Sequence, residues 1–201
     1  MPASRTEIAN LALGHFGQYR IDDIDENSPT AEAVRDCWNI ARDSTLRAHH
    51  WNFATVPAVL SRLATPPAFG WAFQWQLPAD YLKLVKCNDV LSGTRDTDFT
   101  VRGRVLLTHE EKAEIEYVQV VTACELWDPQ FVEAFALKLA EMTAPRLSLS
   151  ASRAADLSAR AEASGLAAAH SDAVDSRPHV RRAEAGSRYH LARQGHDPDI
   201  G

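Results

Sequence analysis

Cysteine is scarce in this chain. The three present, Cys37, Cys87 and Cys124, are far apart and odd in number. That spacing fits neither a zinc site nor a disulfide framework, so the three are read as core thiols of a reducing compartment. No apolar run follows Met1, and none elsewhere is long enough to span a bilayer. This predicts a soluble product of a cytoplasm, with no signal peptide and no membrane partner. Cations are outnumbered: 21 lysines and arginines face 27 aspartates and glutamates. A net charge of −6 argues against a protein whose work is gripping phosphates, which needs a basic face.

The motifs of catalysis are missing as well. There is no nucleophile elbow, no phosphate-cradling glycine loop and no Cys/His pair in a recognised context. His49 and His50 are adjacent, so on a helix they point apart and cannot hold one metal as an i, i+4 pair would. Asp80 could be drawn as a general base, but after Leu-Pro-Ala it is read as the cap of the turn before Tyr81. The expectation is a non-enzyme without cofactor or metal, whose function lies in assembly or binding.

What is present orders well along the chain. Apolar residues make up 45% and charged residues 24%, ordinary for a soluble globular protein with one core and an excursion. Ser4 with Glu7 forms a capping box ahead of Ile8, Leu11, Ala12, His15 and Phe16, and Gly17 ends that helix. Asp22, Asp23, Asp25 and Glu26 form an acidic loop; it lacks the glycine and terminal glutamate of an EF-hand and is read as a solvated turn. Ser28-Pro29 starts a second helix running to about His49, with Val34, Cys37, Trp38 and Ala41 inward and Glu32, Arg35, Asp36 and Arg42 outward.

From Trp51 the texture changes to strands, with candidates at 52–60, 70–76, 82–88, 98–102, 104–108 and 113–121. Gly103 marks a hairpin turn between Val101 and Val105. Ile115, Tyr117 and Gln119 alternate with Glu114, Glu116 and Val118, which predicts one face of the last strand against the helices. Phe69, Trp71, Phe73 and Trp75 alternate too. They are read as one hydrophobic strand face packed on helices, with a base-stacking surface for a ligand or single-stranded nucleic acid as the alternative.

Asp128-Pro129 opens a helix with Phe131, Val132, Phe135, Leu139 and Met142 on its apolar face, kinked or ended by Pro145. Ser150 is read as the cap of an alanine-rich helix to about Val174. Its Leu157, Ala161, Gly165 and Ala168–Ala169 allow close approach of a neighbour. Residues 176–201 carry five arginines against Glu184, Asp197 and Asp199, a net +2 that leaves −8 on the rest. This segment is read as an extended docking arm for an acidic partner subunit, with Arg177, Arg181, Arg182, Arg188, Tyr189 and Arg193 as its contact residues. A simple solubilising tail is the alternative.

The expected fold class is therefore α+β: a helical bundle from 1–50 and 126–175, a β-rich domain at 51–125 inserted between its halves, and the arm. The helix-to-strand corner from Arg42 to Ala54 is the feature the rest is arranged around. Its His49, Trp51, Asn52 and Phe53 serve as structural residues of the junction.

Several phrases resemble one known family. Ile8-Ala9-Asn10-Leu11-Ala12-Leu13-Gly14-His15-Phe16-Gly17, Arg42-Asp43 with Leu46-Arg47-Ala48-His49, and Trp51-Asn52-Phe53-Ala54 are similar to the tail tubular protein A family. So are Phe69-Gly70-Trp71-Ala72-Phe73, Leu77-Pro78-Ala79-Asp80 and Leu139-Ala140, all in the same order over about residues 6–172. His50, before the tryptophan, departs from that pattern, and so does the compact stretch between Asp89 and Phe99. These are the head-to-tail adaptors of tailed bacteriophages. The resemblance implies a homo-oligomeric ring, typically of twelve subunits, beneath the portal protein and above a downstream tail or nozzle protein. Genomic DNA would pass through its lumen without sequence-specific binding. It implies location in the virion neck, reached from the host cytoplasm during assembly.

Overall fold

The computed structural model describes residues 4–93, 98–147 and 151–175, with side chains of the last stretch described at 155–168. The chain is α+β, with four helices and two antiparallel sheets among the described residues. The starts of the first three helices follow from local chemistry. Ser4 accepts from the Glu7 amide while Glu7 accepts from the Ser4 amide, closing the capping box of α1 (Arg5–His15). Ser28 caps α2 (Pro29–Ala48) and Asp128 caps α3 (Pro129–Thr143), each followed by proline at the first helical position. The last helix, α4, spans Ala151–Asp175; the expected Ser150 cap lies outside the described residues.

Among the described residues eight strands lie between α2 and α3. They are β1 (Thr55–Val59), β2 (Ser61–Arg62), β3 (Phe73–Gln76), β4 (Tyr81–Cys87), β5 (Val90–Leu91), β6 (Phe99–Arg102), β7 (Val105–Thr108) and β8 (Glu114–Gln119). One sheet has the order β1-β8-β4-β5 and the other β2-β3-β7-β6. The chain passes between them at Leu60, which is buried among inter-sheet side chains. The β4–β5 and β6–β7 turns are among those that use the left-handed region. Gly103 makes the expected β6–β7 turn at φ 59°, and Asn88 and Asp89 (φ 46° and 65°) close a two-residue β4–β5 hairpin.

The layers stack as helices, first sheet, second sheet. Leu82, Val85 and Val118 face the helical core, which includes Leu13, Trp38, Trp51, Phe131 and Phe135. Leu84, Cys87, Ile115 and Tyr117 face the second sheet, where they meet Trp75, Phe99 and Leu106. In β4 the side chains facing the second sheet, Tyr81, Leu84 and Cys87, come three apart instead of two. Register shifts between Tyr81 and Lys83 and between Leu84 and Lys86 accommodate that spacing. All three cysteines are buried with free thiols, and burial, with Glu110 nearby, pushes the Cys87 thiol up to about 11.

One face of β8 meets the helices as expected, through Val118, while the opposite Ile115–Tyr117 face packs on the second sheet. Several other expectations are corrected. Residues 52–54 form a 3-10 turn before β1, not its first part. The aromatic run is not one strand: only Phe73 and Trp75 belong to β3, and they face the inter-sheet core. Phe69 precedes the strand and is exposed, while Trp71 stacks on His109 at 4.9 Å between ring centroids. In α1, Leu11 points outward and Asn10 inward, because the Asn10 amide donates to the Ile21 carbonyl and accepts from its amide (2.9 and 2.8 Å). Arg42 is buried, not solvent-facing; it donates to Asp43 and Asn39.

Candidate functional site: a joint locked by two tryptophans

At the C-terminal end of α2 the chain leaves the helix through an extended His49 and, after His50, drops Trp51 into the core. The last carbonyls of a helix have no intrahelical partner. One of them, Thr45 O, accepts instead from the Trp51 indole N–H at 3.0 Å, so a buried side chain closes the helix. The Thr55 hydroxyl then donates to the Trp51 carbonyl at 2.8 Å, fixing the start of β1. Trp51 is 1% exposed, and its ring meets Phe131 edge-on at 5.0 Å and His49 edge-on at 5.7 Å. Phe53, half-buried, sits 5.1 Å from Phe131. Asn52 is exposed and opens the 3-10 turn. Of the four junction residues expected from sequence, three (His49, Trp51 and Phe53) therefore converge in one cluster.

The return crossing repeats the device. Trp127 ends the loop from β8, donates its indole N–H to Val121 O at 3.1 Å, and stands immediately before the Asp128 cap of α3. Its ring lies 5.0 Å from both Phe131 and Phe135, and 6.2 Å from Trp38. Both places where the chain crosses between helices and sheet are thus pinned by a tryptophan, and Phe131 of α3 touches both. Edge-to-face ring pairs of this kind contribute about 0.5–1.5 kcal/mol each beyond burial. Sequence reading missed Trp127. The available signal was its position before Asp-Pro with Val132 a turn on, the staple arrangement that fixes how a chain enters a helix.

Around the joint, α4 passes close enough that a Cβ on Gly165 would lie 3.4 Å from His49 Nε2. A groove of about 310 Å³ runs between α2, α3 and α4, lined by Ala48, His49, Lys138, Glu141 and Leu166 among others. Burial first, then the Lys83 ammonium and His50, hold the His49 imidazole below its usual value. Asp80 does not cap the turn with its side chain: its carboxylate accepts from the Tyr117 hydroxyl at 3.1 Å, and burial and that contact push Tyr117 up to about 12. The acidic loop is held from inside. Glu26 accepts from the amides of Asp22 and Asp23, and Arg35 donates to the carbonyls of Ile24 and Glu26.

Among the described residues no group of three or more metal-ligating side chains comes together, and no helix is long and apolar enough to cross a membrane. Arg177, Arg181, Arg182, Arg188, Tyr189 and Arg193 of the expected docking arm lie outside the described residues. No family model matches the chain, and no curated protein matches it.

Proposed function

We propose that this protein is a structural, non-enzymatic head-to-tail adaptor of a tailed bacteriophage. Its copies form a ring, about twelve-fold, between the portal and the next tail component, with DNA passing through the lumen. The observation that carries the reading is the double-tryptophan joint. A subunit that repeats around a ring must present its two layers at one fixed angle, and Trp51 and Trp127 fix that angle at both chain crossings. Two of the motifs that resemble the adaptor family fall on this same region: Arg42 to Ala54 includes the end of α2 and the first tryptophan. A net charge of −6 suits a conduit, since it repels phosphate and lets DNA slide.

On this reading the helices of 1–50 and 126–175 act as a bundle that carries the strands of 51–125 as an inserted domain. The segment from 176, with Arg177, Arg181, Arg182 and Arg188, docks on the portal. The protein then acts in the virion neck after assembly in the host cytoplasm. The test of the arm is a truncation of 176–201 assayed for binding to the portal ring encoded by the same genome. Loss of binding with an unchanged melting curve is expected, and unchanged binding refutes the arm's role.

A further inference from the structure

On a chain of net −6, one region collects cations that no ion pair holds among the described residues. Arg47 at the end of α2 and Arg104 in the β6–β7 turn act on Tyr81, and Lys83 on β4 acts on His49 and His50; among the described residues none of the three forms an ion pair. Arg47 reaches the Leu82 carbonyl and Arg104 the Pro78 carbonyl, so both guanidinium groups are held in place. Asp80, the carboxylate next to Tyr81, accepts from the Tyr117 hydroxyl and is one acid against the three cations. Beside these cations a cleft of about 380 Å³ opens between β4 and β6, lined by Arg47, Tyr81, Lys83, Phe99 and Thr100 among others. Strand β6 is the edge of its sheet, and the chain after β5 lines the other side of the cleft at Ser92 and Gly93, where the Ser92 amide donates to the Val85 carbonyl.

The opposite charge sits at the other end of α2. Asp22, Asp23 and Asp25 are exposed in the loop before the Ser28 cap; the only cations near in sequence, Arg20 and Arg35, leave that loop acidic. A helix of 20 residues is about 30 Å long, so the two charge groups cannot reach each other within one chain. At about 0.1 M salt the screening length is about 10 Å, which removes any attraction across that distance. The helix dipole accounts for an acid before α2 and for Arg47 in its last turn, but not for Lys83 and Arg104, which come from other elements.

We propose that the cationic cleft receives the acidic 22–25 loop of a second copy. This is a head-to-tail contact, and repeated with closure it makes a ring. The proposal rests on the ring reading above and adds to it the surfaces that meet.

The test uses the full chain and sedimentation velocity over a concentration series, at about 0.1 M and about 1 M salt, where the screening length falls from about 10 to 3 Å. Two reversal variants are made, Lys83→Glu/Arg104→Glu and Asp22→Lys/Asp25→Lys. They spare Arg47, which ties α2 to β4, and Asp23, which accepts from the Asp25 amide. Wild type is expected to self-associate at the lower salt and to weaken at the higher. Each variant alone should associate roughly tenfold more weakly or worse, since like charges then meet. An equimolar mixture should recover, because each reversed surface finds its complement on the other variant. If a reversal variant melts early, Lys83→Gln and Asp22→Asn/Asp25→Asn carry the test, each weakening association and flattening its salt dependence.

A wild-type ring whose formation ignores both variants overturns this contact and leaves the ring reading standing. So does a mixture of folded variants that associates no better than its parts. A wild-type chain that stays monomeric alone and with the portal ring overturns both.

Discussion

Replacing Trp51 by alanine should damage the fold before it touches any partner. The ring is 1% exposed, packs edge-on against Phe131 and His49, and supplies the N–H that satisfies Thr45 O. Large-to-small substitution of a buried aromatic costs about 3–5 kcal/mol. The stranded Thr45 carbonyl falls within that range if water reaches it and adds about 1–3 kcal/mol if it does not. For a chain of this size about 1 kcal/mol moves the midpoint by roughly 2–4 °C, so Trp51→Ala should lower it by roughly 6–20 °C. Trp51→Phe separates the two contributions: it keeps most of the ring contact and loses the hydrogen bond, and should cost about 1–3 kcal/mol. A double-mutant cycle with Phe131→Leu should return a coupling of about 0.5–1.5 kcal/mol, the direct ring pair. The assay is thermal and urea unfolding followed by circular dichroism, which does not depend on the tryptophan signal being altered. A soluble Trp51→Ala protein with an unchanged unfolding midpoint would show that the joint is peripheral and refute the reasoning.

Three further outcomes follow from the same structure. Asn10→Ala should destabilise by about 1–3 kcal/mol in urea unfolding, since both Ile21 backbone groups lose their buried partner. Gly165→Ala should raise stability by up to about 1 kcal/mol. The site is helical, and the new methyl meets His49 at an ordinary contact distance; a lower midpoint would show that α4 lies closer than that. Burial, chiefly, holds the His15 and His49 imidazoles below 6.5, with Arg160 facing His15 and Lys83 and His50 facing His49, against which Glu133 pulls His15 upward. The unfolded chain then binds the extra protons first, so stability is full above about pH 6.5 and falls as pH drops below it. Urea midpoints measured down to pH 5 should show that slope, and His15→Gln/His49→Gln should flatten it.

The helix starts were legible because they are decided locally: Ser4 with Glu7, Ser28-Pro29 and Asp128-Pro129 each satisfy their own backbone groups. Strand faces were harder to read, because the middle sheet is covered on both sides. Tyr117 and Val118 are neighbours and both buried, so alternation alone could not say which faced the helices. Phe69 to Trp75 alternates as a strand would, yet only its last part pairs with β7 and so has a strand's geometry. Arg42 sits where a helical wheel faces water. Its burial depends on Asn39 and Asp43 taking up the guanidinium, a local arrangement that periodicity does not encode. The Trp51 corner was readable from its aromatic run, whereas its counterpart at Trp127 depends on a contact with α3 made only in the folded chain. Cations on α2, β4 and the β6–β7 turn come together only through the sheet, so no sequence window contained the cleft.

The central claim, that this chain is a ring-forming neck adaptor, is tested most directly by its mass in solution. Native mass spectrometry of the full chain, alone and with the portal ring encoded by the same genome, should show a closed assembly of about twelve copies seated on the portal. A chain that remains monomeric in both conditions and binds single-stranded oligonucleotide instead would contradict the account.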